Sequence, residues 1–277
     1  MRKHDVLATR GLLRTLIAVA VALVFLLPFL WAISLSVRPP SMTFAVEGWG
    51  LPVLDFAPTA DGWHAMLAEG RLAPAIGRST LVSLAATALA IGLGAPAAWA
   101  LARAPFAGVG LVLVGFLTIR LLPPVLLAVP LYPIFQRLGL GDSALALILI
   151  DTLLLLPFVI AILRGAFREV PVELEQAAAL DGANSLQIFW RIGLPLVLPA
   201  VAATALIVFA FAWNEFLFAL AFFVRDFYTL PLLVHGWTSP SPTAAAYLLV
   251  TISVPIALAL AAQRYLVRGL TLGALKS

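Results

Sequence analysis

The stretch Glu173 to Pro195, ELEQAAALDGANSLQIFWRIGLP, decides how the rest of the chain is read. It is a polar interruption between two strongly apolar runs, one ending near Leu163 and the next starting near Leu196. It reads as two short helices joined by a bend. Pro171 suits a first helical position, and Glu173 and Glu175 favour the positive end of the helix dipole. Ala177, Ala178 and Ala179 form helix well and carry almost no bulk. Gly182 is a natural C-terminal stop. Asn184 caps a second helix, with Gln187 completing a capping box, and Gly193 and Pro195 are expected to end it. An Ala-faced helix can sit in a groove on a partner, because nothing keeps the two backbones apart. A plain cytoplasmic loop carries the same local signals, so the residues alone leave both readings open.

Composition sets the class. The chain is 63% hydrophobic and 11% charged, outside the usage of soluble domains. A mean hydropathy of +1.08 marks a polytopic membrane protein surrounded by lipid. The pI of about 10.0 does not signal nucleic acid, because the bases are spread between apolar runs with no aromatic-interleaved stripe. The absence of cysteine excludes disulfides, thiolate metal sites and Cys nucleophiles. Lysine occurs only at Lys3 and Lys276, so the chain cannot hold ATP with a Walker A loop. His4, His64 and His235 are scattered and form no HExxH pair, so no metal site is expected.

Hydropathy predicts an all-α chain in a single membrane domain, with six spans. They fall at about 16–36, 79–102, 106–133, 143–163, 196–223 and 243–266. The first follows Arg2, Lys3, Arg10 and Arg14 and resembles a signal peptide, but it is too long and lacks a small-residue cleavage site. Residues 38–72 form an extracytoplasmic loop with one short helix around Gly62 to Ala68. The N-terminus, the Arg103 turn, the central loop at 164–195 (Arg164, Arg168, Arg191) and the C-terminus (Arg264, Arg268, Lys276) hold most of the bases. The positive-inside rule puts those regions, including both termini, in the cytoplasm.

The spacing Gln176-Ala177-Ala178, then Gly182, then Ile192-Gly193-Leu194-Pro195 resembles the EAA loop of binding-protein-dependent ABC importer permeases. Asp181-Gly182-Ala183 resembles the carbohydrate branch, and most of all the maltose-type inner subunit. Ala97-Ala98-Trp99-Ala100-Leu101-Ala102-Arg103 resembles the end of the second span in sugar permeases, and Gly269 to Lys276 the C-terminal tail. The resemblance implies a type I ABC importer permease fold. It also implies that Glu173, Glu175, Gln176, Ala177, Ala178, Asp181, Gly182, Leu194 and Pro195 form a coupling helix docked on an ATPase. Gly273 and Lys276 would reach the same ATPase. The implied partners are a second permease, two ATPase subunits that bind ATP and Mg, and an extracytoplasmic sugar-binding protein. The mechanism implied is alternating access, with no ATPase site in this chain. The family's usual Glu is Gln176 here, and an amide hydrogen-bonds without forming a charge pair. Glu173 or Glu175 is placed to supply the missing charge.

Arg120, Asp151, Asn214 and Glu215 fall in or near predicted spans, where polar groups face the bundle interior or water. Arg120 and Asp151 either form a buried pair or line a pathway. Trp213-Asn214-Glu215 combines an indole face that can stack on a sugar with groups that bind hydroxyls. Hydrogen bonding between helices accounts for the same triplet equally well. Pro123-Pro124, Pro130 and Pro133 are expected to break the third span's ladder near the path. The sequence therefore reads as an ATP-driven sugar importer subunit. One rival keeps the fold and changes the solute. A second is a proton-coupled carrier using Arg120, Asp151 and Glu215.

Overall fold

The structure, a computed structural model, describes residues 2–43, 50–103, 108–111, 114–115, 118, 122–222, 227–235 and 240–271. The regular elements among them are helices: α1 (Arg2–Ser36), α2 (Asp61–Ala68), α3 (Leu72–Arg103), α4 (Pro124–Arg137), α5 (Ala144–Glu169), α6 (Val172–Leu180), α7 (Ser185–Ile188), α8 (Leu194–Trp213), α9 (Leu217–Phe222), α10 (Leu230–His235) and α11 (Pro242–Thr271). Five stretches are long and apolar enough to cross a membrane: Arg14–Ser36, Leu72–Arg103, Ala144–Glu169, Ser185–Trp213 and Pro242–Ala261. The expected span 106–133 is not among them. Much of it lies outside the described residues, and α4 has 14 residues, too few to cross. Pro130 and Pro133 sit inside α4 rather than ending it. The described break is at Leu122-Pro123, where Pro123 caps the helix from an extended backbone.

The chain forms two compact units. One comprises residues 1–72 and 234–251. Here Arg38 lies over the Phe56 ring at 5.4 Å, and the Thr59 amide donates to the Val37 carbonyl at 2.8 Å. Tyr247 is fully buried and its hydroxyl donates to Glu69 Oε2 at 2.9 Å, tying the start of α11 to α2. A Cβ on Gly62 would lie 2.6 Å from the Pro242 carbonyl carbon, so the two backbones meet because Gly62 has no side chain. Along Arg14–Ser36 only 6% of the most apolar window is buried, a surface suited to lipid or another chain.

The other unit comprises residues 73–233 and 252–277 and holds the loop from Glu173 to Pro195. On α3, Ala86, Ala90, Gly94 and Ala98 recur every four residues and are buried. This small-residue stripe lets α5 approach closely, as in membrane helix pairs. A Cβ on Gly94 would come within 2.5 Å of Val159 Cγ1. Val159, Leu163 and Phe167 of α5 and Val197, Val201 and Val208 of α8 complete this core. A second core joins Val82, Ala128, Leu147, Ile150, Phe218 and Phe222. At the start of α3, Ser79 Oγ accepts from the Leu230 amide at 2.9 Å and Arg78 lies 4.7 Å from the Tyr228 ring.

Candidate functional site

The loop is built from local rules. α6 begins after Pro171, which takes the cap position one residue outside the helix. Its end is a Schellman motif: the Ala183 amide donates to the Ala178 carbonyl at 2.9 Å and the Gly182 amide to the Ala179 carbonyl at 3.1 Å. Gly182 adopts φ +87°, which any Cβ would penalise, and open space surrounds it. The capping box is present, with the Gln187 amide donating to Asn184 Oδ1 at 2.9 Å and the Asn184 amide to Gln187 Oε1 at 3.0 Å. The helix does not stop at Gly193 and Pro195. A π turn, Phe189–Gly193, carries α7 straight into α8, because the Leu194 amide reaches the Phe189 carbonyl. Pro195 falls in the first turn of α8, directly after the π turn.

Glu175 points inward. It is 8% exposed, and Arg103 grips both carboxylate oxygens, Nε to Oε2 at 2.9 Å and Nη2 to Oε1 at 2.7 Å. Trp99 Nε1 also donates to Oε1 at 3.2 Å, and Arg103 Nη2 donates to the Val170 carbonyl at 3.1 Å. Burial pushes the Glu175 carboxyl up, but the hydrogen bonds from Arg103 and Trp99 and the Arg103 charge outweigh it and hold it below the usual range. This corrects the expectation that Glu175 offers charge to a partner: its charge is consumed within the chain. Glu173, Gln176, Ala177, Asp181 and Pro195 are exposed, and Ala178 and Leu194 are half-buried. Leu180 is 90% exposed and Leu186 68%, an apolar tip the sequence reading passed over. Trp99 and Arg103, four residues apart on one face of α3, were also missed as functional groups. The i, i+4 spacing of two donors at a helix end is the signal that identifies them.

The second candidate is a cavity of about 300 Å³ at the break between α8 and α9. Asp151 of α5, Phe211, Asn214 and Glu215 line it, with Leu122, Pro124 and other apolar residues. Trp213 does not face it: the indole is 1% exposed and stacks on Phe209 at 5.7 Å, which overturns its expected role against a sugar. Glu215 accepts from the Phe218 and Ala219 amides at 2.6 and 3.0 Å, capping α9. Asn214 Nδ2 donates to the Ala210 carbonyl at 2.8 Å. Asp151 is 3% exposed and its Oδ2 has no hydrogen-bond partner among the described residues. Arg120, Gly273 and Lys276 lie outside the described residues.

The chain is thus a multi-span helical protein with a capped, outward-projecting loop between two of its spans. Residues 90–272 match the family described as binding-protein-dependent transport system inner membrane component, and the chain belongs to that family of multi-pass inner-membrane proteins. It is 36% identical over 259 residues to the trehalose transport system permease protein SugB of Mycobacterium tuberculosis, covering 91% of this chain and 92% of that one. It is 32% identical over 268 residues to the trehalose/maltose transport system permease protein MalG of Thermococcus litoralis, covering 94% of each. Its fold matches a chain of a bacterial ABC transporter that imports the acidic polysaccharide alginate. That match has a TM-score of 0.74 at 21% identity and covers 96% of this chain and 98% of that one.

Proposed function

We propose that the chain is one permease subunit of an ATP-driven importer for a mono- or oligosaccharide. A second permease, two ATPase subunits and an extracytoplasmic sugar-binding protein complete the machine, and ATP and Mg are bound by the ATPases. The loop and both termini face the cytoplasm. The observation that carries this reading is the loop itself. α6 and α7 project an apolar tip, Leu180 and Leu186, into water, while Glu175 fastens their base to the end of α3. A tip of this kind needs a partner to cover it, and a fastened base passes motion from that partner to the membrane helices. ATPase closure moves the loop, the loop moves α3 and α8, and the cavity face alternates between the two sides.

The test is reconstitution with its cognate ATPase and second permease. Trehalose or maltose uptake should require ATP and the binding protein and should stop with vanadate. Vanadate-insensitive, proton-driven uptake by this chain alone would replace the proposal with a carrier mechanism.

A further inference from the structure

We infer that the groove between α1 and α11 holds one acyl chain of a phospholipid drawn from the leaflet next to residues 37–72. All of its lining belongs to one compact unit: residues 27–35 of α1, Val234, and residues 240–248 at the start of α11. It encloses about 750 Å³, within the range of sites that hold a whole small molecule. The site does not depend on which solute the importer carries.

Shape and polarity match a chain of methylenes. Ala32, Ala244 and Ala245 make a floor with almost no bulk, and Leu27, Trp31 and Leu248 stand beside it as exposed walls. No charged side chain is among the described lining, so a soluble ion finds no partner there. The one hydroxyl is that of Ser241, which caps α11 by accepting from the Ala244 amide at 3.0 Å, where the span begins. An occupant therefore meets one polar end and one hydrocarbon end, the layout of a lipid. α2 fixes the helix that carries the floor, through Tyr247 on Glu69 and through the close approach of Gly62 to Pro242. The groove is thus built before anything enters it. Left empty, its lining would forfeit dispersion contacts along its length.

Depth separates an acyl chain from a helix of another subunit. The two walls place the groove in the same half of the membrane independently. Residues 27–35 lie in the last half of the span Arg14–Ser36, and residues 242–248 in the first half of Pro242–Ala261. From Leu27 to Leu35 the axis rises about 12 Å, close to the thickness of hydrocarbon in one leaflet, about 15 Å. A transmembrane helix crosses both leaflets, about 30 Å, and would need a track of twice that length. An acyl chain stops near the bilayer midplane, and so does the groove.

The experiment uses the complete importer in nanodiscs that contain phosphatidylethanolamine with a diazirine midway along one chain. After detergent exchange strips the surrounding lipid, native mass spectrometry counts the phospholipids retained. Illumination and peptide sequencing then locate the cross-links. One lipid retained per copy of this chain is expected, with cross-links in both 27–35 and 240–248. Ala244→Phe fills the floor and should lower the retained fraction roughly tenfold. Leu30→Phe adds bulk at the same depth, on an exposed side chain that does not line the groove, and should change nothing. Where Ala244→Phe fails to assemble, Leu248→Ala removes a wall instead and should also lower retention. No lipid retained on this chain, cross-links confined to α1, or equal retention in the filled and open grooves overturns the site. The natural chain has no cysteine, so Ala244→Cys can be tested for a short cross-link to a cysteine introduced in the second permease. Efficient cross-linking would seat a protein helix in the groove and overturn the lipid.

Discussion

Glu175→Ala is the change that bears most directly on how the loop works. The mutation removes three hydrogen bonds, two from Arg103 and one from Trp99, and strands a guanidinium whose side chain is 18% exposed. Breaking a fully buried pair costs about 3–5 kcal/mol, and an exposed pair is worth about 0–1 kcal/mol. With 18% and 10% side-chain exposure the pair sits between those limits, so the loss is about 2 kcal/mol. That corresponds to a roughly thirtyfold larger share of chains with α6 released from α3. The protein should still insert, because no apolar core residue changes. Its thermal midpoint in detergent should fall by a few degrees, and binding-protein-stimulated ATP hydrolysis should fall much further. Glu175→Gln keeps one acceptor oxygen, loses the charge and sets its NH2 against an Arg103 N–H, so it should lie between mutant and parent. The charge swap Arg103→Glu with Glu175→Arg should recover part of the stimulation. The folded pKa of Glu175 lies below its unfolded value of about 4.3, so the contribution is complete above that pH and is lost only as pH falls through the folded value. The defect should therefore be the same across the neutral range. If Glu175→Ala matches the parent in both midpoint and stimulation, the pair neither holds the loop nor transmits through it.

Other substitutions probe neighbouring links. Gly182→Val should cost about 1 kcal/mol, purely from the backbone at φ +87°, since nothing lies within 4 Å; membrane level should hold while stimulated hydrolysis drops, and normal stimulation counts against a docking role. Gly94→Val forces a side chain into Val159 and should lower the thermal midpoint by an amount set by about 1–3 kcal/mol, with an unchanged melting curve as the contrary result. Leu180→Ser touches almost nothing in this chain, so stability should be unchanged and ATPase co-purification reduced; equal co-purification would move the dock elsewhere. Gln176→Glu should change ATPase affinity by no more than about 1 kcal/mol, any gain fading in high salt, and loss of assembly would show that this position does more than carry charge.

Short-range chemistry was legible in the sequence and long-range partnership was not. The capping box at Asn184 and the glycine stop at Gly182 follow from residues a few positions apart, and both are present. The Arg103–Glu175 pair spans 72 positions, and only the packing of α3 beside α5 and α6 brings it together. Gly193 and Pro195 read as a stop in the sequence, whereas the π turn carries the helix through both. At the cavity the wrong aromatic was favoured. Trp213 adjoins Asn214 in sequence, but at about 100° per residue it lies roughly 200° around the helix from Phe211, and the latter faces the open side. Helical phase, applied to that triplet, would have chosen Phe211.

The π turn gives the loop an angular setting. Five residues, Phe189–Gly193, complete a turn that an α-helix closes with one fewer, so the loop and α8 are joined with a built-in phase offset. Were the same residues wound as plain α-helix, the extra residue would no longer be taken up by the wide turn and everything before it would swing by roughly 100° about the α8 axis. The tip at Leu180 would then face a different direction, although every side chain on it was unchanged. Anyone grafting this loop into another permease has to match the residue count through the π turn before matching the sequence of the tip.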